Sequence, residues 1–296
     1  MTHHHHHHGL TSASGGDRRL IIAIGINVLL TVAQIIGGVF SGSLALIADA
    51  IHNLSDAAAL AIALIARRIA RVPADDDHTF GHGRAELIAA VFNLSWLIFI
   101  GFFLIVEAIK RLIDPQPVEG WTVVIVAGVA LAVDLWTVFL TYRMAQSSMN
   151  IRAAFIHNMS DALASLGVII GGVLILTFDW HFVDAIVTLA IAGYILAHAG
   201  IEIPKAIHIL MQGVPKDLDV DIVTDDLKQV EGVINIRHVH IWHIDEHLRS
   251  FEGHILVADP GDMESVKLAL RKRLADDFDI THSTLEFEFE TSGQTA

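Results

Sequence analysis

His52-Asn53-Leu54-Ser55-Asp56-Ala57 returns, with one residue changed, as His157-Asn158-Met159-Ser160-Asp161-Ala162. Both copies lie inside long apolar stretches. In each, an imidazole and a carboxylate stand four residues apart, on one face of a helix. Two such helices brought together present two nitrogens and two carboxylate oxygens, a tetrahedral set of the kind Zn²⁺ takes. The other reading is that each pair closes a hydrogen bond on itself and glues helices together. Ionisable groups are costly to bury in a membrane, so matched pairs at two places point to a function. Asp49 precedes His52 by one helical turn, on the same face, and reads as a carboxylate that orients a histidine or as a proton-handling group. Asn53 and Asn158 read as packing groups beside the histidines.

Around these copies the chain is that of a membrane protein. Of its 296 residues, 53% are hydrophobic. Six apolar segments reach spanning length: Leu20–Phe40, Leu44–Ile69, Glu86–Ile109, Trp121–Tyr142, Ala153–Phe178 and Phe182–Ile201. Segments of this length cross lipid as helices, which satisfy their own backbone groups. The three-residue link Ser41-Gly42-Ser43 makes the first two an antiparallel pair, and Asp114-Pro115-Gln116-Pro117 breaks the chain between the third and fourth. Arg18, Arg19, Arg67, Arg68, Arg71, Arg84, Arg143, Arg152 and Lys205 fall on one side, and Lys110 and Arg111 on the other. The bias of basic residues puts both termini in the cytoplasm.

The absence of cysteine excludes disulfides and thiolate metal sites, leaving His, Asp, Glu and carbonyl groups as metal donors. His3–His8, followed by Gly-Leu-Thr-Ser-Ala-Ser-Gly-Gly, reads as a purification tag, with a natural His-rich tail as the alternative. The domain plan is a tag or disordered segment over 1–16, a six-helix membrane domain over 17–210, a cytoplasmic domain over 211–291 and a tail over 292–296.

From Met211 onward, 18 acidic residues face 8 basic ones, a balance that disfavours nucleic acid and anionic lipid and suits cations. This part reads as a helix over Asp217–Glu231, strands over Val233–His243 and Arg249–Ala258, a helix over Asp262–Asp276 capped by Asp262, and a last strand over Ile280–Phe289. The order αββαβ gives a small open sheet with helices on one face.

Two further clusters carry metal-binding residue types. Asp75, His78 and His82 sit in the loop Pro73–Glu86, which reads equally as a surface metal site or as a solvated charged loop. In the tail domain, His240, His254, His282 and Glu288 lie on strands that can converge, and the competing reading is surface histidines on an acidic module. His181, His198, His208 and His247 read as structural or interfacial. Glu107 reads as an interfacial partner of Lys110 and Arg111, and Asp134 as a pairing or proton-transfer group.

Ser43–Asp56, the His78–Glu86 loop, the second His-x-x-x-Asp in span five and His240-Ile241-Trp242 together resemble the cation diffusion facilitator family. The pattern is similar to the zinc-type branch, with His-x-x-x-Asp in both spans, and the short Arg143–Arg152 link is similar to bacterial forms. The resemblance implies a homodimeric Zn²⁺/H⁺ antiporter of the bacterial inner membrane, with six spans and a metallochaperone-like cytoplasmic α+β domain. It implies export of Zn²⁺, or also of Cd²⁺ or Co²⁺, by alternating access, with lipid, protons and divalent metal ions as partners. It places transport ligands at His52, Asp56, His157 and Asp161. It favours a metal at Asp75, His78 and His82, and a regulatory or structural Zn²⁺ near His240, His254, His282 and Glu288. A membrane-embedded metalloenzyme and a membrane-anchored metal sensor are the alternatives. The first lacks a His-Glu-x-x-His signature, and the second leaves the duplicated pairs without a purpose.

Overall fold

The computed structural model describes residues 13–142 and 149–289; the expected tag His3–His8, Arg143 and the 292–296 tail lie outside the described residues. Six long helices come first: α1 (Ala13–Ser41), α2 (Leu44–Ala70), α3 (Ala85–Ile113), α4 (Gly120–Tyr142), α5 (Met149–Phe178) and α6 (Phe182–Leu210). Among the described residues, four helical stretches are long and apolar enough to cross a membrane: Ala85–Ile113, Gly120–Phe139, Asn158–Phe178 and Phe182–Leu210. Val28–Ser41 of α1 is a shorter apolar stretch. Pro204 lies inside α6, which runs on past the expected end at Ile201 to Leu210.

The chain divides into two compact units. One comprises residues 1–60 and 96–198, the other 61–95 and 199–296. In the first unit α4 packs on α5. A Cβ on Gly172 of α5 would meet Val124 Cγ2 at 2.8 Å, so the bare glycine is what admits α4 this closely. Gly42 turns the chain from α1 into α2 with φ +74°, a conformation that glycine adopts without steric cost. The reversal brings Gln34 of α1 against Asp49 and Asn53 of α2.

The second unit holds the ends of α2, α3 and α6 and a small α+β module. Its order is α7 (Val220–Leu227), β1 (Val233–His243), β2 (Arg249–Val257), α8 (Met263–Phe278) and β3 (His282–Phe289). The sheet runs β1-β2-β3, with β1 antiparallel and β3 parallel to the central β2. A parallel neighbour needs a crossover, and α8 supplies it. Val266, Leu270 and Leu274 recur every four residues along α8 and are fully or nearly fully buried with Phe251, Ile255 and Val257 of β2.

Two helix starts differ from expectation. Asp262 makes no side-chain cap; Asp259 accepts from Gly261 N at 2.7 Å and caps a 3₁₀ turn, Pro260–Asp262, that leads into α8. α7 starts later than expected because Asp219 caps it, accepting from Asp221 N at 2.9 Å and Ile222 N at 3.4 Å, and it ends at Leu227.

Candidate metal centre

In the first unit α2 is fixed from its beginning. Four backbone N–H groups at a helix start lack partners within the helix. Here Asp184 of α6 accepts from Leu44 N at 2.7 Å and Ala45 N at 3.3 Å, and from Ser43 Oγ at 2.5 Å. Ser43 Oγ also accepts from Leu46 N at 3.1 Å. Arg111, at the end of α3, donates to Gly42 O at 2.5 Å and lies 3.8 Å from Asp184 Oδ2. The α1–α2 turn, α3 and α6 are thus tied at one end of α2, which sets the height of the residues that follow.

Along α2 comes His52. Its Nε2 lies 3.8 Å from Asp56 Oδ2 and 3.5 Å from Asp161 Oδ1 of α5. One ligand atom from each of the three residues lies within 4.8 Å of the others. His52 and Asp161 are buried and Asp56 is partly open. Two ligands on a tetrahedral Zn²⁺, each at about 2.0–2.1 Å, stand about 3.3 Å apart. The observed spacing is close to that edge and longer than a hydrogen bond, as suits donors arranged around an ion. The Tyr194 ring stands edge-on to His52, with ring centroids 5.9 Å apart, and limits how the imidazole turns. His157 lies on α5 one turn from Asp161, and its side chain falls outside the described residues.

Beside this cluster lies a second polar group. Gln34 Nε2 donates to Asp49 Oδ2 at 2.7 Å, and Asn53 Nδ2 donates to Gln34 Oε1 at 3.2 Å. Ser165 Oγ of α5 lies 3.4 Å from Asp49 Oδ2 and 3.1 Å from Asp134 Oδ2 of α4. Composition along the chain marks Asp49 and Asp134 but not Gln34 or Ser165, which look unremarkable until the helices are assembled.

In the second unit the loop after α2 folds around Asp75. Its Oδ1 accepts from His78 N at 2.6 Å and Asp77 N at 3.0 Å, and lies 3.2 Å from His78 Nδ1. His82 Nε2 is 3.9 Å from the other oxygen, and the two imidazoles lie with centroids 4.4 Å apart. The His78 backbone N–H, foremost, holds the Asp75 carboxyl below the usual carboxylate range, so it is ionised and ready for a cation. Gly81, at φ +74°, closes the loop. Arg84 Nε then donates to Ile244 O at 2.9 Å. Asp75, His78 and His82 form the other metal-competent group of three found among the described residues.

The tail cluster is different from expectation. His254 Nδ1 lies 2.9 Å from Glu288 Oε1, and Arg237 also donates to Glu288. His254, foremost, and Arg237 hold the Glu288 carboxyl below its usual range. His240 does not join them: its register partner is Glu252. His282 pairs with Ser250, four residues from His254 on the strand, or about 13 Å at 3.3 Å per residue. The physical reason for the first departure is a bulge between Arg237 and His240, where His238 takes φ +50°. It is His238 whose ring lies against His254, with centroids 4.9 Å apart. Two of the lone histidines make backbone contacts: His181 Nδ1 accepts from Val118 N at 3.1 Å, and His208 Nε2 lies 2.8 Å from Val214 O. Glu107 pairs with Lys110 at 3.4 Å and Arg111 at 3.8 Å.

The profile of the cation efflux transmembrane domain matches residues 20–211. The chain belongs to the cation efflux family, the cation diffusion facilitators. It is 36% identical over 274 residues to the metal cation efflux system protein CzcD of Cupriavidus metallidurans, covering 92% of this chain and 86% of that protein. It is 36% identical over 275 residues to the zinc transporter ZitB of Pectobacterium atrosepticum, covering 92% and 86%. To the cadmium, cobalt and zinc/H(+)-K(+) antiporter of Bacillus subtilis it is 35% identical over 265 residues, covering 88% and 85%. A solved metal-bound C-terminal domain of the CzcD transporter from C. metallidurans is 32% identical, covering 24% of this chain and 99% of that one, with a TM-score of 0.23. This family member is therefore a multi-pass membrane transporter of divalent metal cations and not an enzyme.

Proposed function

We propose that the protein is a Zn²⁺/H⁺ antiporter of the bacterial inner membrane, acting as a homodimer, with both termini in the cytoplasm. Metal binds His52, Asp56, His157 and Asp161 while the site is open to the cytoplasm. The helices then rock to open it outward, and protons replace the metal on imidazole and carboxylate. Neutral histidine and ionised aspartate bind the ion, whereas their protonated forms do not, so acid on the outer side drives release there. The observation that supports this reading is the meeting of His52, Asp56 and Asp161 from two separate helices. The substrates in the names of the zinc transporter ZitB and the cadmium, cobalt and zinc antiporter fit the same nitrogen and oxygen donors.

Asp75, His78 and His82 hold a second ion at the cytoplasmic surface, and the tail domain, around His254 and Glu288, holds metal that regulates or stabilises. The test is uptake of Zn²⁺, Cd²⁺, Co²⁺ and Mn²⁺ into sealed vesicles with an imposed pH gradient. Uptake should favour Zn²⁺, respond to the gradient and alkalinise the lumen in step with metal movement, because protons leave as metal enters. Metal uptake that ignores the proton gradient would overturn the antiport reading.

A further inference from the structure

Gln34 is fully buried on α1, on one stripe with Thr31, Gly38 and Ser41. An amide in that position is costly unless both of its ends find partners. Both partners come from a single turn of α2. Gln34 Nε2 donates to Asp49 Oδ2 at 2.7 Å, and Gln34 Oε1 accepts from Asn53 Nδ2 at 3.2 Å. Asp49 and Asn53 stand four residues apart and are 1% and 5% exposed. The amide offers a donor end to the carboxyl and an acceptor end to Asn53, so it fits this pair in one orientation.

The two backbones approach closely beside it. A Cβ on Gly38, one turn along α1 from Gln34, would meet Ile47 Cγ1 at 2.6 Å and Ile47 N at 3.2 Å. The bare glycine lets α2 come near enough for one glutamine to reach two of its side chains.

His52 lies between these two anchors in sequence. A single hydrogen bond would fix how far α2 stands from α1. Two of them, one turn apart, also resist rotation of α2 about its axis. Side-chain ends lie roughly 5–6 Å from a helix axis, so a rotation of about 20° carries the imidazole about 2 Å. That is a whole zinc–ligand bond length, whereas a working site holds its donors to within about 0.5 Å. Gln34 stands outside the group of three donors formed by His52, Asp56 and Asp161, and each end of its amide is engaged. It acts on the ion through α2.

We infer that Gln34 is a positioning residue of the transport site: its amide holds α2 in the rotation that sets His52 and Asp56 at zinc-sized spacing against Asp161, and so favours Zn²⁺ over larger cations. This rests on the reading of His52, Asp56, His157 and Asp161 as the transport ligands.

The test measures the maximal rate and KM for Zn²⁺ and for Cd²⁺, with the full-length protein in sealed vesicles, at a temperature where the variants are folded. Gln34→Met fills similar space without the amide. It should raise KM for Zn²⁺ by about tenfold and leave KM for the larger Cd²⁺ within about twofold. Asn53→Ala removes one of the two anchors. It should shift the same ratio in the same direction by less, and it decides the matter should Gln34→Met fail to fold. A glutamine that only stabilises the helix pair would lower the maximal rate for both ions alike and leave both KM values in place. That result in the folded variant would overturn the inference. Zinc transport by His52→Ala at the wild-type rate would bring down the transport-site reading and this inference with it. An inactive His52→Ala beside an unchanged KM ratio in Gln34→Met would overturn the inference alone.

Discussion

Asp184 of α6 accepts from Ser43 Oγ at 2.5 Å and from the first backbone N–H groups of α2, so one carboxylate from a distant part of the sequence caps the helix that bears His52 and Asp56. The group is buried and sits beside Arg111. Asp184→Ala leaves several buried donors without an acceptor, at about 1–3 kcal/mol for each such loss. The variant should melt at clearly lower temperature in detergent than Ser43→Ala, which removes one hydroxyl. Equal melting of the two variants would show that Asp184 does not hold α2.

Replacing nitrogen by oxygen at the metal cluster should alter selectivity before it alters folding. His52→Asp substitutes a carboxylate for an imidazole between Asp56 and Asp161. Competition assays should find weaker preference for Zn²⁺ over Mn²⁺ and Cd²⁺, by about tenfold or 1.4 kcal/mol. An unchanged order and spacing of affinities would count against His52 as a ligand.

The loop around Asp75 should bind its ion independently of transport ligands. His78→Ala with His82→Ala removes both imidazoles and leaves Asp75 with its backbone donors from Asp77 and His78. Metal analysis of the purified protein should find one ion fewer per chain. The same metal content as wild type would return the loop to the status of a solvated charged segment.

In the small module, Arg273 of α8 donates to Asp226 of α7 through two nitrogens, at 2.6 and 2.7 Å. That hydrogen bonding, foremost, lowers the Asp226 carboxyl below its usual range. A depressed folded-state value gives stability above the unfolded value, about 3.9 for aspartate, that is lost as pH falls through the folded one. The pair is largely exposed, so the effect is small. Arg273→Gln should lower the melting temperature of the module's transition slightly at pH 7, and the deficit should close in acid. A deficit that stays constant down to pH 3 would point to packing instead.

Much of this is legible along the chain. The six long helices follow from apolar length, and β1 has the expected ends at Val233 and His243. His52, Asp56 and Asp161 announce themselves by repetition. What escapes a linear reading depends on partners far apart in sequence. Gln34, Ser165 and Asp184 are ordinary polar residues until helices bring them to carboxylates or backbone donors. Alternation puts His238 and His240 on one face of the strand, and a left-handed residue in a bulge is what separates them and leaves His238 against His254. The cap of α8 moves from Asp262 to Asp259 for a similar reason, since either aspartate fits the local signal and the 3₁₀ turn selects between them.

The most direct test is the rate of zinc entry into vesicles by His52→Ala combined with His157→Ala, under the same pH gradient as the wild type. The account predicts that the folded double variant moves no zinc above empty vesicles. Zinc entry at the wild-type rate would contradict it.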